Sequence, residues 1–391
     1  MKTIVYDVRG LTEETLRQAQ VFREPGAIEA VEAAYENIRK AAAVLKRGGL
    51  VAFPTETVYG IGADAFNEAA VGLVYEAKGR PQDNPMIVHI SRASDVGLLA
   101  AGLSPEAVKL ADAFWPGPLT MVLKKREEVP ACVTGGLDTV GVRLPDSPSA
   151  SALISFSGSP VAAPSANLSG RPSPTKAEHV IEDLEGKVDV ILMGPECRVG
   201  IESTVVDMTS APPTILRPGV VTRDDLEAVL EAPVSAPENR AAPAGDMPRH
   251  GEAAGLPRPG GNEHAGDLPH PAAADQKPQP AGDPPRSPGM KYRHYAPNAQ
   301  MLVIEGEREK VKTEMIRLKA LNEGLGLRVG VLLFEERDYI RAAHDFYASL
   351  RALDEEGADL ILAGALPETD GLGFAVMNRM LKAAGYNIAR V

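Results

Sequence analysis

A long segment with few branched or aromatic side chains divides this chain of 391 residues. From Glu231 to Gly289 the sequence consists mostly of Pro, Ala, Gly and charged residues. Such a segment buries too little apolar surface to offset the entropy lost on ordering, so we predict a disordered linker over 231–289. We therefore expect two folded domains, which the length of the chain also favours.

The overall composition is that of a soluble globular protein, with 44% apolar and 24% charged residues. A net charge of -12 argues against a surface built to coat nucleic acid, although a local basic pocket remains compatible with it. Cys132 and Cys197 are the only cysteines, so neither a disulfide framework nor a thiolate zinc site is expected. The sequence shows no signal-peptide core and no apolar run of roughly 18 residues, so we expect a cytoplasmic protein without membrane contact.

Strand-like and helical patterns alternate on both sides of the predicted linker. An N-terminal extension is expected over 1–26. Over 27–230, short apolar runs alternate with segments of helical periodicity, which indicates an α/β domain. A smaller α/β unit over 290–391 follows the linker, and we predict for it a doubly wound parallel sheet. Its expected strands are 302–304, 329–334 and 360–362, and its expected helices are about 308–322, 337–353 and 374–384.

Two pairs of polar residues follow the ends of regular elements. The helical pattern from Glu68 must end at Gly79, and residues two apart in extended chain share a side, so Lys78 and Arg80 are expected to point into one cavity. The same spacing applies to Ser165 and Asn167, where a strand gives way to a loop. Two cations, a hydroxyl and an amide suit a polyphosphate or a carboxylate. The alternative interpretation is a solvated Lys/Arg pair beside a turn.

Two further arginines favour the ligand site over that alternative. Arg143 and Arg217 each end an apolar strand just before a proline, where ligand crevices of α/β sheets lie. His89 follows an apolar run and could equally be a core residue, while Thr57 and Ser203 could be turn residues. Neither a P-loop, a complete dinucleotide fingerprint nor a nucleophile elbow is present. The residues thus indicate an α/β enzyme for an anionic ligand, without a covalent nucleophile.

A set of motifs in order along the chain resembles the Sua5/YrdC family in its two-domain form. The resemblance implies a YrdC-like twisted α/β sheet domain with a concave basic cavity, plus a smaller Rossmann-like Sua5 α/β domain. The motifs are Pro-Thr-Glu-Thr-Val-Tyr-Gly-Ile-Gly at 54–62, Lys-Gly-Arg at 78–80, Asn84-Pro85 with His89, Pro-Gly-Pro-Leu-Thr at 116–120, Val-Arg-Leu-Pro at 142–145, Ser-Ala-Asn at 165–167, Glu-Ser-Thr-Val at 202–205 and His-Tyr-Ala-Pro at 294–297.

The resemblance also implies a reaction. L-Threonine, bicarbonate or CO2 and ATP would give threonylcarbamoyl-AMP and pyrophosphate, for t6A modification at position 37 of tRNAs that read ANN codons. The implied downstream partner is the tRNA threonylcarbamoyltransferase machinery, and a weak contact with tRNA is also implied. Mg2+ would be bound mainly by the phosphates, with no metal ligand from protein side chains.

Residue by residue, the resemblance assigns two groups of binding residues and two supporting ones. A lid over 290–297, including Tyr295, would exclude water from labile intermediates. L-Threonine would contact Thr57, His89, Arg143, Ala163 and Ser203; ATP would contact Arg80, Asn84, Thr139, Ser165, Ser173, Arg217 and Tyr295; Lys78 would add charge near the phosphates and Asn167 would support its loop.

Three alternatives stay open at the level of sequence. The first is a non-catalytic RNA-binding module, which the clustered arginines favour and the overall acidity opposes. The second is a carbamoyltransferase of the hydrogenase-maturation type, which the lack of zinc-finger cysteines opposes. In the third, the second domain serves regulation or partner docking, and not catalysis.

Overall fold

The computed structural model describes residues 2–236, 295–367 and 371–391, which build two sheets flanked by helices. The helices are α1 (Glu13–Arg17), α2 (Pro25–Lys46), α3 (Glu68–Lys78), α4 (Pro105–Phe114), α5 (Ala131–Thr134), α6 (Pro148–Ser157), α7 (Ala177–Leu184), α8 (Arg223–Leu230), α9 (Arg308–Glu323), α10 (Tyr339–Glu355) and α11 (Leu372–Ala383). The strands are β1 (Ile4–Asp7), β2 (Val51–Phe53), β3 (Gly60–Asp64), β4 (Ile87–His89), β5 (Leu119–Lys124), β6 (Thr139–Arg143), β7 (Val161–Ala162), β8 (Val190–Met193), β9 (Thr204–Asp207), β10 (Thr214–Arg217), β11 (Gln300–Glu305), β12 (Val329–Leu332), β13 (Leu360–Gly364) and β14 (Ile388–Arg390).

The larger sheet has ten strands in the order β1-β8-β2-β3-β7-β4-β6-β5-β9-β10. Its pairings are mixed: β4 and β6 run parallel, for example, whereas β5 and β6 run antiparallel. Successive side chains of a strand point to opposite faces. In β2, Val51 and Phe53 therefore belong to the same buried cluster as residues of α2 and α6, whereas Ala52 belongs to the cluster of α3, α4 and α7 on the other face.

The smaller sheet confirms the predicted parallel α/β unit. Its four strands run in the order β12-β13-β11-β14, and all of the described pairings are parallel. Leu302 and Ile304 pack with residues of α9, whereas Met301 and Val303 pack with residues of α10 and α11. Helices thus cover both faces, as expected for a doubly wound sheet. The fourth strand, β14, was not predicted from the sequence.

Two segments at the predicted domain boundaries join the N-terminal fold. β1, in the predicted extension, pairs in parallel with β8 at the edge of the ten-stranded sheet. At the other boundary, Val234 is buried and Ser235 donates its backbone N–H to the Pro213 carbonyl oxygen. Residues 237–289 of the predicted linker, and His294 of the last motif, lie outside the described residues. Within the described ranges, no helix is both long and apolar enough to cross a bilayer.

The two sheet-containing parts share an apolar cluster. Val58 and Ile201 of the N-terminal part belong to the same buried cluster as Phe346, Tyr347 and Met380 of α10 and α11. The contact therefore removes apolar surface of both parts from water, which favours their association.

Candidate active site

One cavity lies where β4, β6 and β10 end and where the loops after β2 and β7 begin. It contains about 600 Å³ of empty space, part of it open to solvent, and it gathers residues from distant parts of the sequence. Nine residues predicted to bind ligands line it: Thr57, Arg80, His89, Arg143, Ala163, Ser165, Ser203, Arg217 and Tyr295. All five residues predicted to contact L-threonine thus line the cavity, and so do four of the seven residues predicted to contact ATP.

Arg143 is held at the cavity by acceptors from three directions. It ends β6, next to His89 of β4 in the parallel register. Its Nε donates to the Gly117 carbonyl oxygen at 3.2 Å, and its Nη1 donates to Thr57 Oγ1 at 2.9 Å. Its Nη2 forms a buried ion pair with Glu56 Oε1 at 2.6 Å. The guanidinium is therefore fixed in orientation rather than mobile.

Arg217 is fixed in a similar way on another side of the cavity. It ends β10, and its Nε and Nη2 donate to the carbonyl oxygen and Oγ of Ser203, both at 3.1 Å. Ser203 Oγ also shares a hydrogen bond of 2.8 Å with Thr120 Oγ1. Arg217, predicted to contact ATP, and Ser203, predicted to contact L-threonine, are therefore hydrogen-bonded to each other.

Lys78 does not share the cavity with Arg80 as the sequence predicted. Lys78 is the last residue of α3 and is buried, and its Nζ donates to the carbonyl oxygens of Ser165 and Asn167. Burial, followed by the charge of Arg80, lowers the pKa of the Lys78 amine well below its ordinary value. Because Lys78 still belongs to the helix, the extended-chain spacing does not apply to it. It supports the loop that contains Ser165.

Arg80 itself lies at the cavity, just after the left-handed cap residue Gly79. Its Nη2 donates to the Pro85 carbonyl oxygen at 2.8 Å. Ser165 Oγ donates to Asn167 Oδ1 at 2.6 Å, so the predicted Ser/Asn pair does meet. The Asn167 amide also donates to the carbonyl oxygens of Leu168 and Arg171, which fixes this loop.

His89 is a buried neutral residue in the cavity wall. Burial, and then the charge of Arg143, lowers its pKa to about 3. Its ring stands edge-on to the Phe53 ring, with 6.3 Å between the centroids. At neutral pH His89 can therefore exchange hydrogen bonds with a ligand but cannot attract it by charge.

Three residues predicted to contact ATP lie away from this cavity. Asn84 is buried, and its carbonyl oxygen accepts from Arg80 Nε at 3.3 Å. Thr139 lines a second, smaller cavity beside Pro85 and Val205. Ser173 is fully buried and donates to Glu202 Oε1 at 2.6 Å. Asn84 and Ser173 thus contact the cavity residues Arg80 and Glu202 rather than line the space, and Thr139 lines the second cavity.

Tyr295 opens the second described stretch and lies in the cavity wall. It is buried, its φ is 68°, and its ring centroid is 5.4 Å from that of Tyr347 on α10. Its neighbour Ala296 donates its backbone N–H to the Gly170 carbonyl oxygen at 2.8 Å. The start of the C-terminal part is thus attached to the N-terminal part at the site.

Two buried carboxylates at the site were given no role from the sequence. Glu56 pairs with Arg143, and Glu202 lines the cavity and contacts Ser173. The available signal was an acidic residue among hydroxyl residues beside apolar strands, in Pro-Thr-Glu-Thr and Ile-Glu-Ser-Thr. Within the described ranges, no group of three or more His, Cys, Asp or Glu side chains is placed to hold a metal ion.

Comparison with known proteins places the chain in a family. The Sua5_yciO_yrdC family model, described as telomere recombination, matches residues 43–219, and the model of the threonylcarbamoyl-AMP synthase C-terminal domain matches residues 221–385. The chain is 44% identical over 365 residues to threonylcarbamoyl-AMP synthase of Pyrococcus abyssi, covering 90% of this chain and 96% of that protein. It is 41% identical over 370 residues to the Bacillus subtilis enzyme of that name, covering 90% and 94%.

A solved structure extends the comparison to three dimensions. The crystal structure of P. abyssi Sua5 complexed with L-threonine matches with a TM-score of 0.78 at 41% identity, over 100% of both chains. The matches define an ATP-using enzyme of the nucleotidyl-transfer type. More particularly, the chain belongs to the Sua5/YrdC family of threonylcarbamoyl-AMP synthases, which confirms the resemblance seen in its motifs.

Proposed function

We propose that this enzyme makes threonylcarbamoyl-AMP from L-threonine, bicarbonate or CO2 and ATP, with release of pyrophosphate. The main support is that Arg80, Arg143 and Arg217, from separate elements, line one cavity together with hydroxyl side chains. An amino-acid carboxylate and a polyphosphate are the anions that several fixed arginines suit best. The similar P. abyssi protein was solved with L-threonine.

On the threonine side, Arg143 pairs with the substrate carboxylate. A guanidinium has five N–H groups, and Arg143 donates two of them to Gly117 and Thr57 while its Nη2 forms an ion pair with Glu56, so N–H groups remain for the ligand. Thr57, His89, Ala163 and Ser203 complete this side.

On the ATP side, Arg80 and Arg217 bind phosphate oxygens, and Ser165 and Tyr295 contact the nucleotide from opposite parts of the chain. Asn84, Thr139 and Ser173 remain assigned to ATP as part of this proposal. Mg2+ arrives on the phosphates. Lys78 and Asn167 hold the loop of Ser165.

The reaction needs positioning and charge neutralisation more than a protein nucleophile. The threonine amine attacks CO2 and loses a proton, which gives a carbamate. A carbamate oxygen then bonds to the α-phosphorus of ATP while the bond from that phosphorus to the pyrophosphate oxygen breaks. Fixed arginines stabilise the charge that develops on the phosphate oxygens, as in phosphoryl transfer. The product would serve t6A formation in tRNAs that read ANN codons.

Pyrophosphate release tests the proposal. We expect release from ATP and bicarbonate to depend on L-threonine in the wild type and to fall by about two orders of magnitude in Arg143→Ala, because the carboxylate loses its cation. Lysine at this position would not restore the planar set of donors. Salt-sensitive tRNA binding without threonine-dependent pyrophosphate release would contradict the proposal and favour the RNA-binding alternative.

A further inference from the structure

A buried arginine of the C-terminal part reaches the wall of the cavity. Arg379, on α11, is 0% exposed. Its Nε donates to Glu202 Oε2 at 3.2 Å, and its Nη1 donates to the Pro218 carbonyl oxygen. Tyr347, on α10, donates its hydroxyl to the same carboxylate at 2.9 Å. Two helices of the C-terminal part thus contact one cavity-lining side chain.

The two segments that Arg379 contacts contain Ser203 and Arg217. Ser203 follows Glu202, and Arg217 precedes Pro218. The segments also touch directly, because a Cβ added at Gly219 would lie 2.4 Å from the Thr204 backbone nitrogen. Arg379 therefore contacts both segments.

The contact between Arg379 and Glu202 is electrostatic as well as a packing contact. Burial acts to raise the pKa of the Glu202 carboxyl, but the charges of Arg379 and then Arg217 outweigh it and hold the pKa below its usual value. Glu202 is therefore ionised between two buried cations. Without Arg379, Arg217 would be the remaining arginine whose charge lowers the pKa of this carboxyl, and Arg217 would be drawn towards it.

We propose that Arg379 is a positioning residue: by binding Glu202 and the Pro218 carbonyl, it keeps Arg217 available to the phosphates of ATP. The C-terminal domain thereby forms part of the nucleotide side of the site through α11, in addition to Tyr295. The identity of the ligand rests on the function proposed above. The threonine side is less affected, since its cation Arg143 is held by Gly117, Thr57 and Glu56 without help from α11, and of that side only Ser203 contacts Arg217.

Arg351 offers a matched control in the same contact between the two parts. It lies on α10, is 1% exposed, and its Nη2 donates to the Pro172 carbonyl oxygen and to Asp183 Oδ2, both at 2.7 Å. Pro172 and Asp183 do not line the cavity. Arg351→Met therefore removes a buried arginine between the two parts without touching Glu202.

The test compares Michaelis constants of the full chain in the pyrophosphate assay. We expect Arg379→Met to raise KM for ATP about tenfold or more and KM for threonine less than about threefold. Arg351→Met should leave both within about twofold of wild type while lowering the melting temperature. In the double variant Arg379→Met/Glu202→Gln the unpaired negative charge is gone, so KM for ATP should fall back towards the wild-type value.

Three outcomes would overturn the inference: an equal rise in KM for ATP in Arg351→Met, no recovery in the double variant, or equal rises for both substrates. If Arg379→Met does not fold, Arg379→Lys, which keeps the charge, should raise KM for ATP while Arg351→Lys does not. If the wild type releases no threonine-dependent pyrophosphate, the proposed function fails, and calorimetric ATP affinity in the same variants still decides the inference. Lack of any ATP affinity in the wild type overturns both.

Discussion

Arg143 illustrates how the site is specified one residue at a time. Its position at a strand end was evident from the sequence, but its partners were not, because they come from the loop after β2 and from Gly117. Burying the ion pair with Glu56 costs desolvation energy, and the hydrogen bonds of Arg143 to Gly117 and Thr57 offset part of that cost. In return, the guanidinium has one orientation before the ligand arrives, and a preorganised donor binds without further ordering cost.

The buried His89 predicts a pH dependence of stability. Its pKa is about 3 in the folded protein and about 6.5 when unfolded, so the unfolded chain takes up the proton first as the pH falls. Neutral His89 makes its whole contribution to the free energy of unfolding above pH 6.5, and this contribution is lost as the pH falls towards 3. Between pH 6.5 and 5 this amounts to about 2 kcal/mol.

Chemical denaturation at a series of pH values measures this effect. The free energy of unfolding of the wild type should fall more steeply below pH 6.5 than that of His89→Asn, which has no proton to gain there. His179, whose pKa is lowered to about 4, stays in both proteins and cancels from the comparison. Parallel pH curves for the two proteins would contradict a neutral buried His89.

At the scale of residues, the sequence predicted which types of side chain line the cavity better than it predicted their contacts. Arg80, Arg143 and Arg217 converge as expected, since strand and helix ends are local features. Lys78 was misplaced because it is still the last residue of the helix, so the extended-chain spacing to Arg80 does not apply to it. The partners of Glu202 could not be predicted, because Tyr347 and Arg379 are far away in sequence and meet it only in the folded chain.

At the scale of elements, the loop before β9 packs tightly against α10. A Cβ added at Gly200 would lie 2.4 Å from both the Cα and the carbonyl oxygen of His344, and the φ of Gly200 is +83°. Only glycine fits such a position without displacing the helix. The same segment continues into Glu202 and Ser203, so this close approach sets the distance between the cavity wall and the C-terminal helices.

Gly200→Ala should therefore destabilise the protein by about 3 kcal/mol, from left-handed strain together with overpacking. Gly79→Ala is the matched control: its φ of +61° is similarly unfavourable, but nothing lies within 4 Å of the added Cβ. We expect that control to cost only about 1 kcal/mol. Thermal or chemical unfolding measures both, and equal losses would contradict the close contact with α10.

The elements themselves were predictable where their patterns are long or buried. The predicted helices of the C-terminal unit agree with α9, α10 and α11 to within a few residues. The strands β1 and β14 were missed because they are short and half exposed, so neither shows a buried apolar run. Their pairing comes from neighbouring strands, which short local patterns do not encode.

At the scale of the whole molecule, the two sheet-containing parts share buried contacts. Val58 and Ile201 lie in the C-terminal apolar cluster, and Arg351 and Arg379 are buried with acceptors in the N-terminal part. Separating the parts would expose this apolar surface and leave buried charges unpaired, which is unfavourable. We therefore expect them to unfold together.

Differential scanning calorimetry should show one transition for the wild type. The double variant Arg351→Met/Arg379→Met should show either two transitions or one that is clearly broader, because both buried arginines are lost. Substituting Arg317 and Arg328 by Met, which removes two solvent-facing ion pairs, is the control and should leave one transition. Two well-separated transitions in the wild type would contradict the coupling of the parts.

The most direct measurement supplies the enzyme with L-threonine, ATP and isotopically labelled bicarbonate and analyses the products by mass spectrometry. The account predicts an adenylate that contains threonine and the labelled carbon, formed together with pyrophosphate. An adenylate of threonine without the labelled carbon, or AMP and pyrophosphate with no adenylate at all, would contradict it.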